Sequence, residues 1–236
     1  MTEKAQQGFL DFNEIRNPNA KFKGIDLFAG IGGIRLGFEK VFKEDISFVF
    51  SSEIDKYAKM TYFENFGEMP YGDITKIDPV EIPNFDILLA GFPCQPFSNA
   101  GLKKGFNDTR GSLFFDITRI IEHHKPKVVF LENVKGFKGH DKGNTFRVVK
   151  ETLENLGYKV FSEVLNAKYF GVPQNRERIY IIAFLDHSVD FQYPSKMELP
   201  VKVGDILDKK VDKKYTISDK LWAGHQRRKL AHKAKG

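Results

Sequence analysis

Apolar runs that read as buried strands alternate, over residues 22–186, with runs whose apolar positions recur at helical spacing. "FKGIDLFAG" (22–30) is a strand ending in glycine. "GGIRLGFEKVF" (32–42) is the helix after it, with Ile34, Phe38 and Val41 on one face. "ISFVFSSEI" (46–54) and "DKYAKMTYFENF" (55–66) repeat the pair. "FDILLAGFP" (85–93) is a third strand, followed by the helix "GSLFFDITRIIEHH" (111–124) with Ser112 as its cap. "KVVFLENV" (127–134) is a strand and "NTFRVVKETLENLG" (144–157) a helix that Gly157 closes. "YKVFSEVLNA" (158–167) and "RIYIIAFLD" (178–186) are the last two strands.

Buried strands alternating with helices predict an α/β fold with an open, mostly parallel sheet. Ligands of such sheets bind outside the carboxyl ends of the strands. Gly30, Glu53, Cys94 and Glu132 all fall at such ends.

Beyond Asp186 the pattern weakens. The boundaries predicted are an N-terminal arm (1–21), a catalytic and cofactor-binding domain (22–190) and a basic linker (191–236). The net charge of +6 belongs to that linker. From Ser195 to Gly236 there are 12 Lys/Arg against 5 Asp/Glu, a net +7, which leaves −1 for the rest. A polyanion partner is one reading and a solvated lysine-rich tail the other. With 41% hydrophobic residues the chain supports a substantial core. The lone cysteine excludes an internal disulfide and a Cys-rich zinc site, and no metal is expected. No apolar run approaches the ~20 residues of a membrane span. The N-terminus is too polar for a secretory signal. These features predict a cytoplasmic protein.

"DLFAGIGG" (26–33) brings glycine backbone to a helix N-terminus, where it can approach a ligand closely. Gly30 and Gly32 fit the dinucleotide fingerprint, but Arg35 stands where its third small residue belongs. Glu53 follows the glycines by about 20 residues, at the next strand end, where an acid can bind a ribose diol. Together these favour an adenosine-containing cofactor that need not carry a pyrophosphate. Asp73 in "YGDIT" could accept from an adenine amino group, or be a turn aspartate.

Cys94 sits in "GFPCQPF", between Pro93 and Pro96 and after a buried strand. A lone cysteine is often a small buried hydrophobe. At a ligand edge, followed by the glycine-rich and basic "SNAGLKKGFNDTRG", it reads instead as a nucleophile beside a lid. Glu132 in "LENV" is placed to give up a proton to a substrate, or is an ordinary strand-end glutamate. In "PQNRER" (173–178) Arg176 and Arg178 alternate, so an extended segment presents both on one face.

"DLFAGIGG", "GFPCQPFS", "ENV" and "QNRER", in that order, resemble the DNA (cytosine-5) methyltransferases, especially of the bacterial restriction–modification type. The resemblance runs from about Lys23 to Leu185. It implies a Rossmann-like, S-adenosyl-L-methionine-dependent sheet with an antiparallel last strand. It implies that Phe28, Gly30 and Gly32 line the cofactor pocket and that Glu53 holds the ribose hydroxyls. Ile54, Asp73 and Ile74 would meet the adenine, and Leu113 would close another side. Cys94 would be the nucleophile, Glu132 would bind the target cytosine, Arg176 would assist it and Arg178 support it. Gln95, Ser98, Lys103, Lys104, Arg110 and Gln174 would contact flipped double-stranded DNA.

The family pattern continues with a target-recognition region, a further motif and a returning helix, none of which follows Gly236. The expectation is a shortened or split form, inactive or weakly active alone, with a second chain as one source of the missing part. A tRNA cytosine-5 methyltransferase and a noncatalytic nucleic-acid-binding subunit are the alternatives. A nicotinamide-dependent oxidoreductase is disfavoured by Arg35.

Overall fold

The structure, a computed structural model, describes residues 17–93, 113–197 and 201–233, with side chains up to 228 in the last stretch. The chain forms two compact units, one of residues 1–166 and 175–196, the other of residues 167–174 and 197–236.

The first unit is built on six strands: β1 (Phe22–Leu27), β2 (Ile46–Ser52), β3 (Ile87–Ala90), β4 (Val128–Val134), β5 (Lys159–Asn166) and β6 (Glu177–Phe184). Their order is β2-β1-β3-β4-β6-β5. The β2-β1-β3-β4 pairings are parallel, and β6 runs antiparallel to both β4 and β5. The mostly parallel sheet with a reversed last strand is thus present. The connecting helices are α1 (Gly33–Phe42), α2 (Lys56–Phe66), α3 (Leu113–His124) and α4 (Asn144–Asn155).

Side-chain alternation along β3 explains why the sheet needs cover on both faces. Leu88 and Ala90 join Ile117, Ile121, Val149 and Leu153 in one core, under α3 and α4. Ile87 and Leu89 join Phe48 in the other, against Ile34, Phe38 and Phe42 of α1. All four β3 residues are buried.

The strand order reverses between β1 and β3, so the carboxyl edge there opens into a crevice. The helix caps follow the local chemistry. Asp55 starts α2 by accepting from Tyr57 and Ala58 N–H, and Gly67 ends it at φ 68°. Gly157, at φ 93°, follows α4 as expected, whereas the Ser112 cap lies outside the described residues.

The second unit corrects one expectation. Residues 191–236 read as an extended linker, but Asp219–Lys233 is a helix, α5. It has no apolar stripe, and Leu221 and Trp222 are exposed, which is why helical periodicity was invisible there. Among the described residues no helix is long and apolar enough to cross a membrane, and no cluster of His, Cys, Asp and Glu could hold a metal ion.

Candidate active site at the carboxyl edge of the sheet

Two cavities open on the carboxyl edge. The smaller, about 280 Å³, is lined by Phe28, Ser52, Glu53, Ile54, Gly72, Asp73, Ile74, Gly91, Pro93 and Leu113. The larger, about 640 Å³, runs from Glu132, Arg176 and Tyr180 past Gly91 and Phe28 along the apolar side of α1. Phe28 and Gly91 line both.

The turn after β1 builds the floor. Phe28 holds φ 54°, unusual for a bulky residue and a strain of the kind that collects at functional sites. Gly32 caps α1 at φ 86° against the Phe66 ring, where a Cβ would come within 2.0 Å of the ring. Only glycine fits.

Glu53 ties this turn to the next strand end. Its Oε2 accepts from Gly30 N–H at 2.8 Å, and its Oε1 accepts from the Ile54 and Asp55 N–H groups, each at 2.8 Å. Asp73 accepts from the Thr75 hydroxyl and N–H, and these bonds hold its carboxyl below the usual carboxylate range. A carboxylate at the rim, a second acid and apolar walls from Phe28, Ile54, Ile74 and Leu113 suit a nucleoside: a flat base between side chains and a diol on Glu53.

The larger cavity carries the second cluster. Glu132 lies opposite Tyr180 in the β4–β6 pairing. Its Oε1 is 2.9 Å from Arg178 Nε and 3.4 Å from Arg176 Nη2. The predicted shared face of Arg176 and Arg178 is what lets both reach one carboxylate. Burial first, then the Glu132 charge, raises the Tyr180 phenol above its ordinary value, so it remains a hydrogen-bond donor.

Two buried asparagines missed by sequence reading hold the adjoining loops. Asn133 Nδ2 donates to the Phe92 carbonyl at 2.9 Å, fixing the chain two residues before Cys94. Asn166 Oδ1 accepts from Arg176 N–H and its Nδ2 donates to Asn175 Oδ1. Asn133 sits inside "ENV", next to a residue already singled out, and Asn166 ends a strand; neither position announces a bond across the fold.

Arg35, read as a break in a nucleotide fingerprint, is a buried pillar. It is 1% exposed, donates to Glu39, Tyr62 and Glu68, and lies over the Phe48 and Phe66 rings. Gln174 belongs to the second unit. Cys94, Gln95, Ser98, Lys103, Lys104 and Arg110 lie outside the described residues.

The mostly parallel α/β sheet with a reversed last strand has the methyltransferase class of fold, with two cavities and a carboxylate–guanidinium cluster at its carboxyl edge. The particular family follows from comparison with known proteins. The family profile of C-5 cytosine-specific DNA methylase matches residues 22–236, and the chain belongs to that family. It is 62% identical over 216 residues to the Type II methyltransferase M.NlaX of Neisseria lactamica, covering 91% of this chain and 69% of the relative. It is 57% identical over 224 residues to the Type II methyltransferase M.SsoII of Shigella sonnei, covering 93% and 59%. The chain therefore spans roughly three fifths to two thirds of these relatives. In fold it matches the crystal structure of the S. pombe Dnmt2 methyltransferase, with a TM-score of 0.67 at 23% identity over 87% of this chain and 67% of that one.

Proposed function

We propose that this chain carries the catalytic half of a DNA cytosine-5 methyltransferase of the restriction–modification type, using S-adenosyl-L-methionine. The observation that supports this most is the pair of cavities with a common wall at Phe28 and Gly91. A cofactor in one and a base in the other would meet at that wall, where Gly91 stands three residues before Cys94.

S-adenosyl-L-methionine supplies a methyl group on a sulfonium. Glu53 would hold its ribose hydroxyls, Asp73 its adenine amino group, and Phe28, Ile54, Ile74 and Leu113 its adenine faces. Gly30 and Gly32 let the β1 turn approach it.

The base chemistry falls to the chain's own side chains. Carbon 5 of cytosine is a poor nucleophile because the ring is aromatic and electron-poor. The Cys94 thiolate adds to carbon 6, and the electron pair displaced from the ring double bond makes carbon 5 enamine-like. Negative charge grows on the ring nitrogen, where a proton held by Glu132 stabilises it. After carbon 5 is alkylated, loss of its proton returns an electron pair that re-forms the double bond and expels the thiolate. Arg176 and Arg178 hold the Glu132 carboxyl against the base edge. The base must leave the duplex to reach this site, at a cost of roughly a few kcal/mol. Gln95, Ser98, Lys103, Lys104, Arg110 and Gln174 are assigned to the DNA contacts that offset it.

The test is transfer of tritium from labelled S-adenosyl-L-methionine to mixed-sequence DNA, with tRNA as the competing substrate. The chain is assayed alone and with a relative's unmatched segment supplied as a second polypeptide. Label on DNA at carbon 5 of cytosine is expected in the complemented assay. Label only on tRNA, or none in either arm, overturns the proposal.

A further inference from the structure

We propose that Arg119 is a positioning residue for the cofactor, holding together the two walls of the smaller cavity. This rests on the reading of that cavity as the S-adenosyl-L-methionine pocket. One wall is Leu113, the first residue of α3; the facing wall is Asp73 and Ile74, at the start of a short 3₁₀ turn. The two walls come from separate parts of the chain, so a tie between them can set their separation.

Arg119, on the second turn of α3, is that tie. Its Nη1 donates to the Ile77 carbonyl at 2.6 Å and its Nη2 to the Ile74 carbonyl at 3.0 Å. One planar guanidinium thus spans both ends of the turn that carries the adenine wall. Asp116, one helical turn back, lies 3.4 Å from Nη2 and fixes the fork. Lysine carries its three donors on one atom and lacks the rigid fork that aims two nitrogens at two carbonyls. The Arg119 side chain is 35% exposed, so replacing it does not hollow the core.

The structure supplies its own control. His124, at the other end of α3, donates from Nε2 to the Pro79 carbonyl at 2.8 Å. This second tie joins the same helix to a neighbouring turn through Pro79, which does not line the cavity, whereas Arg119 holds the carbonyl of Ile74, which does. A role in stability alone predicts similar consequences for both ties. A positioning role predicts that only Arg119 affects the cofactor.

The experiment is equilibrium dialysis of the full 236-residue chain against S-adenosyl-L-methionine and S-adenosyl-L-homocysteine, well below the Tm of each variant. Arg119→Ala is expected to weaken binding about tenfold, the equivalent of one charged hydrogen bond. Arg119→Lys should recover part of that loss. His124→Ala should bind within a factor of two of wild type even where its Tm falls as far. Unchanged affinity in Arg119→Ala, or an equal loss in His124→Ala, overturns the assignment of Arg119 alone. If wild type binds neither ligand, the cofactor reading fails, and Arg119 with it.

Discussion

Arg178 Nε lies 2.9 Å from Glu132 Oε1 because of strand register: Glu132 pairs with Tyr180, and Arg178 is two residues along the same face of β6. Arg176, two residues further, is more exposed and sits at 3.4 Å. The two arginines should therefore fail differently. Arg178→Ala removes the closer partner of a largely buried carboxylate. It should cost about 1–2 kcal/mol, discounted for partial exposure, which lowers Tm by roughly 2–8 °C. Arg176→Ala should leave Tm nearly unchanged while slowing methyl transfer. Calorimetry beside single-turnover rates separates the two; equal Tm losses would contradict the geometry.

Glu132→Gln keeps the shape of the carboxyl and removes the acid. A loss of at least ~10²-fold in methyl-transfer rate is expected, the low end of general acid–base contributions. DNA binding should survive better than chemistry. Wild-type turnover across neutral pH in the variant would remove the acid role.

Cys94 is the only thiol in the chain, so its chemistry can be read without background. With the complementing segment present, DNA carrying 5-fluorocytosine should form a covalent adduct with wild type, because fluorine cannot leave as a proton does. Cys94→Ser should form none while binding S-adenosyl-L-methionine as before. An adduct in the serine variant, seen by mass spectrometry, would place the nucleophile elsewhere.

Glu53 has two tasks, and its substitution should expose both. Its carboxylate is the acceptor for three backbone N–H groups and, in the proposed function, the acid that would hold a ribose diol. Glu53→Gln cannot accept with both ends. The β1 turn should loosen at Gly30 and cofactor affinity fall about 10- to 100-fold. Affinity within a factor of two of wild type would exclude the ribose role.

What could be read in advance was what depends on local pattern. Alternation of buried strands and helices gave the sheet, and strand ends marked the edge where Glu53 and Glu132 gather. The spacing of Arg176 and Arg178 was enough to place them on one face. Bonds between distant segments left no such trace. Asn133 to Phe92 and Arg119 to Ile74 join residues 41 and 45 positions apart, and only the fold brings them together. Arg35 was legible as a break in the dinucleotide fingerprint, but its burial among the Phe48, Tyr62 and Phe66 rings and the Glu68 carboxylate was not, because those partners come from other elements.

Asp26 gives the last prediction, a dependence of stability on pH. It is 1% exposed, near the end of β1, and among the described residues its Oδ2 has no hydrogen-bond partner. Burial raises its pKa well above the ordinary value; the Arg35 charge opposes this without cancelling it, and Glu68, Glu53 and Glu39 add to it. The sign follows. Above the usual carboxylate range, near 4, the unfolded chain has released this proton and the folded chain still holds it. Stability from this group is fully present below that range and is lost as pH rises towards the folded pKa. Asp26→Asn carries no such proton, so its contribution is flat. The variant should gain on wild type between pH 5 and pH 8, whatever fixed cost its amide brings at acidic pH. Urea unfolding of both proteins at the two pH values measures the difference. A gap that does not change with pH, or one that moves in favour of wild type, would mean that Asp26 is ionised in the folded chain and paired with Arg35.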